Sequence, residues 1–129
     1  MIVLDTHALL WWALDPDRLS DTAHTVLAEA ERHGGYASSI SLWEIAIKVK
    51  RGKLELPISV DELVRRLEKG AVIELVAVDT ATWLRSVSLP WAHQDPADRV
   101  IVATALNRGV PLLTKDTAMH EFPDVRTIW

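Results

Sequence analysis

Acidic residues recur where this sequence turns from one element to the next, and carboxylates are the side chains best suited to a hard cation. The clearest stretch is Asp95-Pro96-Ala97-Asp98-Arg99, which runs directly into Val100-Ile101-Val102-Ala103-Thr104-Ala105-Leu106. Asp95 suits a helix N-cap, Pro96 the first helical position and Asp98 the first turn. Asp98, Ile101, Val102 and Ala105 recur at helical spacing, which anchors that turn over an apolar face. Three more acids stand at comparable junctions: Asp5 after Met1-Ile2-Val3-Leu4, Glu44 in Ser41-Leu42-Trp43-Glu44, and Asp116 after Leu112-Leu113-Thr114-Lys115. Each has a plain structural explanation. An acid in a first helical turn complements the dipole by about 0.3–1 kcal/mol. Ser41-x-x-Glu44 matches a capping box, and Asp5 and Asp116-Thr117 suit a strand end and a turn.

The elements that must position these acids can be read from the pattern. Met1 to Leu4 reads as a short buried strand, and Thr6 to Leu14 as a helix with Leu9, Leu10, Trp12 and Ala13 on its apolar stripe. Asp15-Pro16-Asp17 breaks it. Ser20 or Asp21 caps a helix to about Arg32, and Gly34-Gly35 turns the chain into a strand, Tyr36 to Ser39. Ser41 to Glu44 opens a helix whose Leu42, Ile45, Ala46 and Val49 can face a core. Ser59 or Asp61 starts another through Lys69, closed by Gly70. Val72 to Val78 reads as a strand, Asp79 caps a helix through about Val87, and Leu89 to Gln94 is a loop. Gly109 ends the helix that Asp95 begins. Val110 to Leu113 and Val125 to Ile128 read as the last strands. Strands alternating with helices predict an α/β fold, a mainly parallel sheet covered on both faces, in a single domain over 1–129.

In a doubly wound sheet the carboxyl ends of strands and the amino ends of the following helices share one edge, where ligands bind. Asp5, Glu44, Asp98 and Asp116 all fall on that edge. Carboxylates packed together raise one another's pKa and repel unless a cation neutralises them. An all-oxygen set suits Mg²⁺ or Mn²⁺ rather than zinc, and such ions support in-line displacement at phosphorus.

Composition narrows the classes. The chain has 129 residues, 49% of them hydrophobic and 25% charged, as an ordinary globular domain does. No apolar run approaches a membrane span. Met1 to Leu4 lacks a basic flank and meets Asp5 too soon to read as a signal peptide. With no cysteine there is neither disulfide nor thiolate metal site, which fits a reducing cytoplasm. A net charge of −4 argues against coating nucleic acid by bulk charge.

The chain resembles a PIN-domain ribonuclease, and within that family the VapC toxins of toxin–antitoxin pairs. Met1-Ile2-Val3-Leu4-Asp5-Thr6-His7 resembles the opening strand and first acid, and Ser38-Ser39-Ile40-Ser41-Leu42-Trp43-Glu44-Ile45-Ala46 the segment carrying the second. Asp95-Pro96-Ala97-Asp98-Arg99 resembles the Asp-Pro-x-Asp-Arg element, with Ala97 at an often aromatic position. Leu112 to Asp116 resembles the closing strand and fourth acid. The resemblance implies an α/β/α sandwich, a metal-dependent endoribonuclease, an RNA substrate, a small antitoxin that blocks the site, and a homodimer. It assigns catalysis and Mg²⁺ or Mn²⁺ binding to Asp5, Glu44, Asp98 and Asp116. Thr6 and Thr114 support as hydroxyls beside the acids, and Asp95 serves mainly as the N-cap.

Other residues divide between two roles. Lys48, Lys50, Arg51 and Lys53 form a basic run that can track phosphates or simply solvate a helix end. Arg99 can contact RNA or pair with a nearby carboxylate. His7 and His93 lie beside acids without metal-ligand spacing, and neither receives a catalytic role. Trp12, Trp43 and Trp83 fall on presumed core stripes; Trp11 and Trp91 suit packing better than base stacking. Two other classes fit parts of the pattern. A receiver domain also carries an acidic Mg²⁺ site, but needs paired acids near the first strand, where Asp5 stands alone. A non-catalytic protein-binding module needs the acids only as caps.

Overall fold

The computed structural model describes residues 1–129. Five short strands form one sheet: β1 (Val3–Leu4), β2 (Gly35–Ser38), β3 (Ile73–Val76), β4 (Leu112–Leu113) and β5 (Thr127–Ile128). Every pairing is parallel and the spatial order is β3-β2-β1-β4-β5. Chain order reverses on the two sides of β1, so the switch point that doubly wound sheets use for ligands lies at the ends of β1 and its neighbours. A receiver places its second strand outermost; here β2 is internal and β3 is at the edge, which excludes that topology.

Seven α-helices cover the sheet: α1 (Thr6–Leu14), α2 (Asp21–His33), α3 (Ser39–Lys50), α4 (Val60–Gly70), α5 (Thr80–Ser88), α6 (Pro96–Arg108) and α7 (Thr117–Glu121). Most begin on a side chain that accepts an orphan amide: Asp5, Ser20, Ser59, Asp79, Asp95 and Asp116 each bond the N3 amide of its helix. Gly34, at φ 82°, ends α2 where a side chain would be strained.

Strand alternation sorts the core into two layers. Ile2, Leu4 and Leu113 point into a cluster with Leu9, Leu27, Ile45, Leu63 and Leu67 from α1 to α4. Val3 and Leu112 point the other way, against Val100, Ile101, Met119 and Phe122. The result is three layers with both sheet faces dry. Truncating a fully buried centre such as Leu113 to Ala costs about 2–5 kcal/mol.

Several expectations need correction. The helix read from Ser41 begins two residues earlier, because Ser38 is the cap and bonds the Ile40 amide at 3.2 Å. Glu44 therefore lies in the second turn, and no capping box forms. Ser41 is instead fully buried and accepts the Thr6 hydroxyl at 3.0 Å, tying α1 to α3. Ala46, Trp43 and Trp83 are exposed rather than core, whereas Trp12 packs on the first cluster as expected. The turn read at Asp116-Thr117 is the start of α7. The strands are shorter than expected: β3 keeps only Ile73–Val76 of Val72 to Val78.

Candidate active site

Asp5 leaves β1 and at once becomes the N-cap of α1. Its Oδ1 accepts the Ala8 amide at 2.8 Å and its Oδ2 accepts the Thr114 hydroxyl. Its own amide donates to Leu113 O at 3.1 Å, so the carboxylate is held between β1 and β4. Only 4% of Asp5 is exposed. Thr114, fully buried, uses the same hydroxyl to accept the Asp116 amide at 3.0 Å. One threonine thus spaces two acids. Asp116 caps α7 through Oδ1, which accepts the Met119 amide at 3.2 Å.

Asp98 reaches the edge from the other core layer. Asp95 Oδ1 accepts its amide at 3.0 Å, the cap expected of Asp95. The Asp98 carboxylate meets a group that sequence reasoning passed over: His93 Nε2 stands 2.7 Å from Oδ2. The available signal was positional, since His93 lies two residues before the N-cap and can fold back onto the first turn.

The electrostatics follow from this crowding. Burial pushes the Asp5 carboxyl above its ordinary range, opposed by the Thr114 and Ala8 hydrogen bonds and by His7, and reinforced by the charge of Asp116. Burial is also the main reason Asp98 is pushed up to about 6. The His93 contact opposes it, while Asp95 and Asp116 add to it. Asp116 therefore acts on both partners. No arginine or lysine forms an ion pair with any of the three.

The other expected residues fall in different places. Glu44 is not among the charges acting most strongly on Asp5 or Asp98. It lies mostly covered in α3, with Lys48 Nζ 3.8 Å away. Thr6 serves Ser41 rather than an acid. Lys50, Arg51 and Lys53 are exposed at the far end of α3, a helix length of about 18 Å from its N-terminus. Arg99 pairs with no carboxylate, and its guanidinium donates to five main-chain carbonyls, which leaves no N–H donor free for RNA. As they stand, no three carboxylate or imidazole side chains are grouped closely enough to hold a metal ion. Asp5 and Asp98 are linked instead through the charge of Asp116, which acts on both.

Residues 2–125 match the PIN domain family. The chain belongs to that family. Among curated PIN-family relatives, Ribonuclease VapC22 from Mycobacterium tuberculosis is 31% identical, covering 99% of this chain and 98% of its own. The fold is shared with VapBC2 from Rickettsia felis bound to a DNA fragment from their promoter, at TM-score 0.70 and 16% identity over 99% of this chain and 98% of that one. It is shared also with a toxin–antitoxin complex from Klebsiella pneumoniae, at TM-score 0.65 and 17% identity over 100% and 97%. The PIN domain's α/β architecture is thus the one the resemblance implied. No helix is long and apolar enough to cross a membrane.

Proposed function

We propose that this PIN domain is a VapC-type endoribonuclease toxin that cleaves RNA with Mg²⁺ or Mn²⁺ held at the Asp5–Asp98–Asp116 edge, and that a small antitoxin silences it. One observation carries the reading. Asp5 and Asp98 are both driven toward protonation, both feel Asp116, and no lysine or arginine relieves them. Surface caps held by amides would shift the other way. The donors are all oxygens, and Mg²⁺ is commonly held by one or two carboxylates with retained waters rather than in a closed cage. Such an ion, when bound, activates water and offsets charge developing at phosphorus.

The chain's own residues do the rest. Thr114 and the Ala8 amide fix Asp5, the Met119 amide fixes Asp116, and His93 braces Asp98. Glu44 is the fourth member of the set. Its pair with Lys48 is an intrahelical contact worth about 0.2–0.5 kcal/mol, too weak to keep Glu44 from a divalent ion. Lys50, Arg51 and Lys53 provide phosphate contacts remote from the scissile bond. The name of the M. tuberculosis relative and the toxin–antitoxin neighbour support the ribonuclease and the antitoxin. A homodimer is supported by exposed Trp43, Trp83, Leu84 and Val87, beside a groove of about 550 Å³ that Trp43 and Trp83 line with Ile40, Val78 and Pro96. An exposed apolar face of this kind suits the isologous pairing of a two-fold dimer.

The test is RNA cleavage by the purified protein with Mg²⁺ or Mn²⁺ and with excess EDTA. Cleavage only with the ion is expected, and full cleavage in EDTA would overturn the metal mechanism. A non-catalytic binding module predicts no heat on Mn²⁺ titration and no effect of Asp98→Asn. Expression alone should arrest growth, and Asp98→Asn should be harmless.

A further inference from the structure

Arg99 is the most heavily committed side chain near the edge. Nε donates to Ser86 O at 2.7 Å. Nη1 donates to Trp91 O at 2.6 Å and His93 O at 2.8 Å, and Nη2 to Val87 O at 3.2 Å and Leu89 O at 2.9 Å. A guanidinium has five N–H donors, and all are spent on main-chain carbonyls. Ser86 and Val87 lie in the last turn of α5, where helical carbonyls have no partner of their own. Trp91 and His93 lie in the loop that leads on to Asp95. One side chain therefore caps α5 and straps down the loop beyond it.

That loop ends on the site. Trp91 stacks on Phe122 with ring centroids 5.1 Å apart and meets the His93 imidazole at 4.7 Å, the two rings tilted by 32°. Thus braced, His93 meets Asp98 Oδ2, while Oδ1 has no protein hydrogen bond and is not sealed from solvent. Arg99 follows Asp98 in the chain, so the strap begins and ends on the same helical turn.

We infer that Arg99 is a positioning residue: through the loop it holds His93 against one oxygen of Asp98 and so leaves the other oriented for the ion. The inference rests on the metal reading above. Outer partners that orient a ligand carry about 10–100-fold in metal affinity. Lysine cannot replace the five-donor fork, whereas glutamine at position 93 can place an amide nitrogen where Nε2 stands.

The experiment is Mn²⁺ titration without RNA, by calorimetry, on wild type, Arg99→Gln, Arg99→Lys, His93→Ala, His93→Gln and the Arg99→Gln/His93→Ala double variant. Amide exchange over residues 86–94 is followed alongside. Weakening of about 10–100-fold is expected for both Arg99 variants and His93→Ala. His93→Gln should recover most of it, and the double variant should be no weaker than the single ones, because both act through one contact. Faster exchange in the loop should accompany the Arg99 variants but not His93→Gln. Wild-type affinity in Arg99→Gln, or losses that add in the double variant, would overturn the inference. If Arg99→Gln does not fold, wild-type affinity in His93→Ala overturns it equally. A wild type that binds no Mn²⁺ overturns the metal reading and this inference with it, an outcome distinct from tight binding that ignores Arg99.

Discussion

Two helices of this protein start on an aspartate that accepts both a main-chain amide and a threonine hydroxyl, and the two carboxylates titrate in opposite directions. Asp79 caps α5 through the Thr82 amide at 2.8 Å and the Thr82 hydroxyl at 2.6 Å. Those bonds hold its carboxyl below the usual range. Asp5 caps α1 with an equivalent amide bond and takes its hydroxyl from Thr114, yet it is pushed up. The local chemistry is shared. What differs is that Asp79 is exposed and Asp5 is buried beside a second acid. The same kind of cap thus stands exposed beyond the edge strand β3 and buried beyond the central strand β1, and its surroundings decide which way its carboxyl is shifted.

Removing the carboxylates tests this contrast most strongly. Asp5→Asn and Asp98→Asn should each lower Mn²⁺-supported cleavage by more than about 100-fold, beyond the range of outer-partner losses. Asp79→Asn should leave it unchanged. Equal activity in all three would make every one of these acids a cap.

Stability of the metal-free protein should separate the two classes next. The folded-state pKa of Asp98, about 6, exceeds its ordinary 3.8, so the folded protein binds the extra proton between those values. Stability contributed by that proton is present at low pH and is lost as pH rises through the window. Asp79 has the reverse sign: its contribution is present above 3.8 and is lost as pH falls below it. Urea unfolding from pH 3 to pH 7 should therefore show Asp98→Asn gaining on wild type as pH rises. Asp79→Asn should close on wild type as pH falls. At neutral pH Asp98→Asn should be at least as stable as wild type, although it forfeits about 0.3–1 kcal/mol of dipole interaction. Saturating Mn²⁺ should reverse that order, since it stabilises only the form that binds it. A wild-type advantage that ignores pH and metal would return Asp98 to the helix dipole.

The smallest effect lies farthest from the acids. Changing Lys50, Arg51 and Lys53 to Ala should flatten the salt dependence of RNA binding by roughly 0.7 per lost phosphate contact, about 2 in all. Mn²⁺ affinity should hold. An unchanged slope would make the run a solvated helix end.

The fold was legible because apolar periodicity and capping residues agree at nearly every junction. Asp95 and Asp79 each cap the helix that their sequence context predicts, whereas Asp5, read only as a strand end, also caps α1. Ser38-Ser39-Ile40-Ser41 offers three hydroxyls able to cap, and local chemistry cannot choose among them. Burial of Ser41 against Thr6, 35 residues away, makes the choice. Trp43 and Trp83 look like core because helical spacing marks a stripe without saying which stripe faces inward. In α5 the buried positions are Thr82 and Ser86, which leaves Trp83, Leu84 and Val87 outside. Topology predicts that Asp5, Asp98 and Asp116 share the carboxyl edge of the sheet, and Asp116 does act on the other two. His93 and the carbonyls gathered by Arg99 were not, because a loop's return path carries no periodic signal.

The threonine that spaces Asp5 and Asp116 has a consequence in time. Thr114 and Asp5 are 109 residues apart in the chain and meet only when β4 has paired with β1. A nascent chain that stops short of Thr114 already carries Asp5, Glu44 and Asp98, but lacks the strand and hydroxyl that seat the first and the acid that completes them. Synthesis runs at about 5–20 residues per second, so the buried seat of Asp5 forms at least several seconds after Asp5 itself is made. Until Thr114 is made, Asp5 can cap the Ala8 amide through one oxygen, but the hydroxyl that holds its other oxygen does not yet exist.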